Sequence, residues 1–122
     1  MRFMMLVIAP LAIGAASAPD PAALAGDWVV DLSATPDQIY TKPMHLEIRA
    51  DGTVAGDFYN SIIEAGRWKA DRGRICVSFR TSDGAGPYHS SACRVGDIIQ
   101  GQTWAEQRNF LFNWNAIRKP AG

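Results

Sequence analysis

The sequence predicts an all-β protein, an eight-stranded antiparallel up-and-down barrel, and three observations carry that expectation. Beyond the first seventeen residues, apolar and polar side chains alternate with a period of two almost throughout. Turn signals containing glycine, such as Ala50-Asp51-Gly52, Asp71-Arg72-Gly73 and Ser82-Asp83-Gly84, separate the alternating runs. No helix of useful length is written into the same region. Closing the sheet removes its edges, which makes a barrel the economical arrangement; a small β-sandwich is the alternative, because alternation does not reveal closure.

The first element is a leader. Met1-Arg2 supplies one charge, Phe3 to Ile13 is uncharged and apolar, and small residues follow from Gly14 to Ala18. Residues 1–17 therefore read as a secretory signal peptide, with cleavage after Ala16, Ser17 or Ala18, and residues 18–122 as one domain. The apolar run is too short for a spanning helix of about 20 residues, so no stable membrane insertion is expected after processing. The expected location is periplasmic or secreted. The whole chain balances twelve basic against twelve acidic residues without a concentrated stretch of either sign, which speaks against nucleic acid as a partner. Removing Arg2 with the leader leaves one negative charge net.

Asp20-Pro21-Ala22-Ala23-Leu24-Ala25-Gly26 has an acid in capping position, proline at the first helical position and a closing glycine, so one short helical turn is expected before the first strand. Trp28-Val29-Val30-Asp31-Leu32 then places Trp28, Val30 and Leu32 on one face. After a connection across Ser33 to Lys42, Met44 to Arg49 and Thr53 to Tyr59 flank Asp51-Gly52. A two-residue loop would set Leu46 on the same side as Asp57. A three-residue loop with Gly52 as a left-handed bulge gathers Met44, Leu46, Ile48, Val54, Gly56 and Phe58 on one face, and this segregated register is the expected one.

Glu64 to Lys69 and Arg74 to Arg80 form the next hairpin, around Ala70-Asp71-Arg72-Gly73, with Trp68, Ile75, Val77 and Phe79 inward. Tyr88 to Cys93 returns after a flexible turn at Ser82 to Gly86. That register sets Cys76 opposite Cys93 on the outer face, and an exported chain sees an oxidising compartment, so a Cys76–Cys93 disulfide is expected. Arg94 to Asp97 turns into Ile98 to Trp104, and Ala105 to Asn109 leads to the last strand, Phe110 to Arg118.

Gly26-Asp27-Trp28 after a short helical turn, with Arg118 ending the last strand, resembles the lipocalin and avidin-like superfamily, the calycins. The resemblance implies a barrel whose Trp28 closes one end while Arg118 crosses its face, where a guanidinium gains cation–π attraction and its stem covers the ring. Ala22 to Trp28 is also similar to the start of small periplasmic inhibitors of bacterial metalloproteases, which are disulfide-bonded eight-stranded barrels. Their disulfide lies early in the chain, whereas Cys76 and Cys93 lie late.

The chemistry-bearing residues are few. His45 and Glu47 share a face, with Asp57 expected opposite His45; His89 is expected in register with Arg80. Neither constellation brings a third converging group, so both read as solvated surface pairs, and no metal, cofactor or catalytic residue is expected. No nucleophile elbow or phosphate loop occurs, and the protein is not expected to be an enzyme. The candidate ligand site is the barrel interior, at Trp28, Phe58, Trp68, Phe79, Phe112 and Trp114, although these rings compete with Met44, Leu46, Ile48, Ile75 and Val77 to fill a narrow bore. The expected function is a non-catalytic secreted or periplasmic module that binds a small apolar ligand or an extracytoplasmic protein. The alternative is a periplasmic protease inhibitor using the segment before Gly26. In the carrier reading a chain shortened to Gly26 is expected to keep its fold.

Overall fold

The computed structural model describes residues 20–121; the expected signal peptide, residues 1–17, and its cleavage site lie outside them. Nine strands follow one another: β1 (Gly26–Asp31), β2 (Thr41–Ile48), β3 (Thr53–Phe58), β4 (Ser61–Ile62), β5 (Glu64–Asp71), β6 (Arg74–Ser82), β7 (Pro87–Val95), β8 (Ile98–Ala105) and β9 (Phe110–Arg118). Apart from the two-residue β4, each strand pairs antiparallel with its neighbours in sequence, and β9 pairs with β1. The ring β1-β2-β3-β5-β6-β7-β8-β9 is thus a closed eight-stranded up-and-down barrel, and the sandwich alternative is set aside by the β1–β9 pairing. Among the described residues no helix is long and apolar enough to cross a membrane.

The β2–β3 hairpin has the register that segregates the faces, with Met44 opposite Phe58, Leu46 opposite Gly56 and Ile48 opposite Val54. Its loop is Ala50-Asp51-Gly52, closed by Gly52 N–H donating to the Arg49 carbonyl at 3.1 Å. Gly52 has φ +91°, a left-handed conformation that glycine adopts without steric cost. Cys76 lies opposite Cys93 and the disulfide is formed, with an S–S distance of 2.02 Å. The β5–β6 turn is tighter than expected: β5 runs through Asp71 and only Arg72-Gly73 link the strands, both with positive φ, as a two-residue hairpin loop requires.

A jog between β3 and β5 was not anticipated. The chain reverses at Tyr59-Asn60, both left-handed, runs back as β4 against Asp57 and Phe58, and buries Ile63. A bulge between Glu64 and Arg67, with Ala65 at φ +53°, then steers β5 toward its pairing with β3.

Of the residues expected inside, Trp28, Met44, Leu46, Phe58, Ile75, Val77, Phe79 and Trp114 are buried, and Ile48, Trp68 and Phe112 pack against them half-buried. Leu24, Val30, Val54, Ile63 and Ile99 complete this core. The Trp114 ring is accommodated by a gap in the neighbouring strand: a Cβ on Gly101 would lie 2.3 Å from the Trp114 indole, so β8 makes room for Trp114 at that point.

Candidate functional site

The two ends of the barrel differ. At one end the Asp20 carboxylate accepts a hydrogen bond from Ala22 N–H at 2.9 Å and starts a 3-10 turn, Pro21–Ala23, which delivers Leu24 into the base of the core with 0% of its surface exposed. The Trp28 indole N–H donates to the Leu24 carbonyl at 2.9 Å. The Arg118 guanidinium stands 4.4 Å from the Trp28 ring centroid and donates to the carbonyls of Ala25 at 2.6 Å and Ala23 at 3.1 Å. Arg94, from the inner face of β7, adds a second guanidinium 5.6 Å from the same ring and also donates to the Ala23 carbonyl. The turn is therefore sealed onto the base. It is part of the barrel's closure rather than a free arm, and Trp28 is buried at its centre.

The other end is open. A cavity of about 450 Å³ lies there, walled by Leu32, Phe58, Ala105, Phe110 and Phe112, with Tyr40, Tyr59 and Tyr88 at its rim. Of the six rings expected at a ligand site, Phe58 and Phe112 border this cavity, whereas Trp28, Trp68, Phe79 and Trp114 do not. Phe79 and Trp114 lie in the packed layer beneath, their rings 5.4 and 5.2 Å from Phe58. Trp68 does not reach the cavity either: its indole N–H donates to the Arg49 carbonyl at 2.7 Å, at the far hairpin, and Trp28 occupies the sealed base. Period-two alternation assigns a side chain to the inner face but not to a height along the barrel axis, and height decides which rings fill the bore and which border the void.

The cavity floor is polar and satisfied. The Trp114 indole N–H donates to the Thr103 hydroxyl at 2.9 Å, and Thr103 and Ser90 share a hydrogen bond at 2.8 Å. Thr103 and Thr81, both buried, present the floor to the void. At the rim the Tyr40 and Tyr59 hydroxyls are hydrogen-bonded to each other, and the Tyr88 hydroxyl donates to Asp83 at 2.8 Å. The hydrogen bond to Tyr40, then burial, raises the Tyr59 pKa; burial, then the bond to Asp83, raises that of Tyr88. Both phenols are kept neutral. The Ala85 N–H and the Tyr88 hydroxyl hold Asp83 below the usual carboxylate range, so it stays ionised. Arg108, from the 3-10 turn Glu106–Arg108, also lines the cavity.

Sequence reasoning missed Tyr40, Tyr59, Tyr88 and Arg108. Tyr40 ends the connection after β1, Tyr59 lies in the reversal before β4, and Arg108 in the connection before β9, where no periodicity marks a facing. The signal that was present is compositional: Tyr40, Tyr59, Tyr88, Phe110 and Phe112 all fall at or beside strand ends.

The histidines sit on the outer wall. His45 is opposite Asp57 in the β2–β3 register, yet its imidazole pairs with Asp27 on the other flank, Nδ1 to Oδ1 at 2.8 Å, with Glu47 at 3.7 Å from Nε2. The Asp27 hydrogen bond raises the His45 pKa. His89 is in register with Arg80, as expected, and its ring lies 3.4 Å from Glu106 while Arg80 pairs with Glu64. Among the described residues no three His, Cys, Asp or Glu side chains converge as a metal ligand set. Scans of family models, of curated proteins and of solved structures find no match to the chain.

Proposed function

We propose that the protein is an extracytoplasmic carrier of calycin-like form, which binds without chemical change a small, largely apolar molecule in the cavity at its open end. The observation that carries the reading is the cavity itself. Its volume of about 450 Å³ is that of a small-molecule site, which runs about 300–1,000 Å³, and six aromatic rings surround it while hydroxyls sit at the floor and rim. The closed base supports the calycin likeness, since Trp28 and Arg118 meet in the geometry that the resemblance implies. The disulfide supports export, because such bonds persist in oxidising compartments.

The test uses the placement of Trp114 one ring below the void. A panel of apolar aromatic molecules is titrated against the intact protein and the tryptophan emission followed. A saturable response is expected, and Ala105→Phe, which fills the cavity from a wall position, is expected to abolish it while keeping the native circular dichroism. Absence of response across the panel, or a response indifferent to Ala105→Phe, overturns the proposal.

A further inference from the structure

The mouth of the cavity carries an imbalance of charge. Lys42 alternates along β2 with the buried Met44 and Leu46 and lies opposite Val30, so it belongs to the inner face at the open end. Its ammonium is 5.4 Å from the Tyr40 ring centroid and 5.2 Å from that of Tyr59. Among the described residues no carboxylate lies within ion-pair distance of it. Arg108, in the cavity wall, is the second cation, its guanidinium 5.9 Å from the Tyr88 ring centroid.

One acid faces these two cations. Asp83 stands 3.8 Å from Arg108, but its oxygens are already engaged, Oδ1 by Ala85 N–H at 2.9 Å and Oδ2 by the Tyr88 hydroxyl at 2.8 Å. Other acids of this end are turned away: Asp31 alternates with the buried Trp28 and Val30 and accepts from Ser33 N–H at 2.9 Å, Asp37 is exposed in the loop before β2, and Glu106 faces His89 on the outer wall. The rim is left with one positive charge net, among aromatic rings where a charge is less screened than in water.

A neutral occupant would leave that charge uncompensated, and would further strip water from an inward lysine. A cationic occupant would look for aromatic faces, but Lys42 and Arg108 already stand over Tyr40, Tyr59 and Tyr88, and would repel it. An anion meets both cations, together with a donor: one hydrogen joins the Tyr40 and Tyr59 hydroxyls, and the second is left to give. Building on the carrier reading, we infer that the ligand is an aromatic acid, with its ring body among Phe58, Phe110 and Phe112 and its anionic group at the rim toward Lys42 and Arg108.

Two probes with the same ring body separate this inference from the carrier reading on which it rests. The sulfonate 1-anilinonaphthalene-8-sulfonate and the neutral N-phenyl-1-naphthylamine both fluoresce when withdrawn from water, and differ by the anionic group. The sulfonate is expected to bind the intact protein about tenfold more tightly, a ratio that salt should erode because exposed charges are screened within about 10 Å at 0.1 M. Lys42→Met and Arg108→Met are each expected to lower sulfonate affinity about three- to tenfold and to leave the neutral probe unchanged, so that the neutral probe reports cavity integrity in each variant. Equal or tighter binding of the neutral probe by the native protein, or a ratio unmoved by salt and by both variants, overturns the acid inference and leaves the carrier reading standing. Binding of neither probe overturns both.

Discussion

Replacing Trp28 by alanine tests the closed base most directly. The indole is 1% exposed, donates to the Leu24 carbonyl at 2.9 Å and carries Arg118 at 4.4 Å over its face. Losing a buried tryptophan costs about 3–5 kcal/mol through lost transfer energy and the void left behind. For a domain of this size each kcal/mol moves the melting temperature by about 4–8 °C, so a fall of roughly 12–40 °C is expected. Trp28→Phe separates the components: it keeps most of the apolar burial and removes the hydrogen bond, for which about 1 kcal/mol is expected, plus a smaller packing loss. A double-mutant cycle with Arg118→Met then isolates the guanidinium–indole contact, whose coupling should be about 0.5–2 kcal/mol. Urea unfolding followed by circular dichroism supplies all four stabilities. If Trp28→Ala melts within a few degrees of the native protein, or the cycle closes at zero coupling, the account of the base is wrong.

Three further expectations follow from the same geometry. The intact mass of the oxidised protein should be two hydrogens below that of the reduced form, and reduction should cost on the order of 3 kcal/mol for a bridge spanning 17 residues; unchanged urea midpoints after reduction would contradict this. A chain beginning at Gly26 loses the wholly buried Leu24 and the carbonyls that receive Trp28, Arg94 and Arg118, so the expectation of a retained fold is reversed: proton spectra of this variant should lose their dispersion, and a native-like spectrum would refute the sealing role of the turn. Because the Asp27 bond raises the folded-state pKa of His45 above 6.5, its contribution is fully present below about pH 6.5 and fades as pH rises through the folded value. The pair is solvent-exposed, so less than about 1 kcal/mol is at stake, and an NMR titration of His45 should show its pKa fall in Asp27→Asn.

The sequence disclosed facing well and height poorly. The β2–β3 hairpin was legible because only one register separates Met44, Leu46, Ile48, Val54 and Phe58 from the charged residues, and because Asp51-Gly52 names its own loop type. The pairing of Cys76 with Cys93 followed from the same arithmetic one hairpin further on. The jog through β4 and Ala65 was invisible, since a left-handed alanine leaves no mark in composition. At the cavity, Phe58 and Phe112 were found by alternation, but Trp28, Trp68, Phe79 and Trp114 were assigned to it only because they are large and inward. Where they sit depends on strand tilt and stagger, which arise when the ring closes. The rim escaped for a different reason: Tyr40, Tyr59 and Arg108 come from connections, whose placement is set by the strands on either side.

The up-and-down order of the barrel also fixes when it can be completed. Every pairing around the ring joins successive strands, β3 and β5 with only the short β4 between them, except that of β1 with β9, which sets Trp28 against Arg118 and Val30 against Ala116 across some ninety residues. Until Phe110–Arg118 has arrived, β1 and β8 are bare edges and the hydrophobic bore stands open along one seam. A chain that emerges N-terminus first is therefore committed to wait, with two adhesive edges, for its last strand. The seam is also blind to which molecule fills it, because β9 of a second copy offers the same ladder. Refolding at high concentration should accordingly yield strand-exchanged dimers, and dilution single barrels.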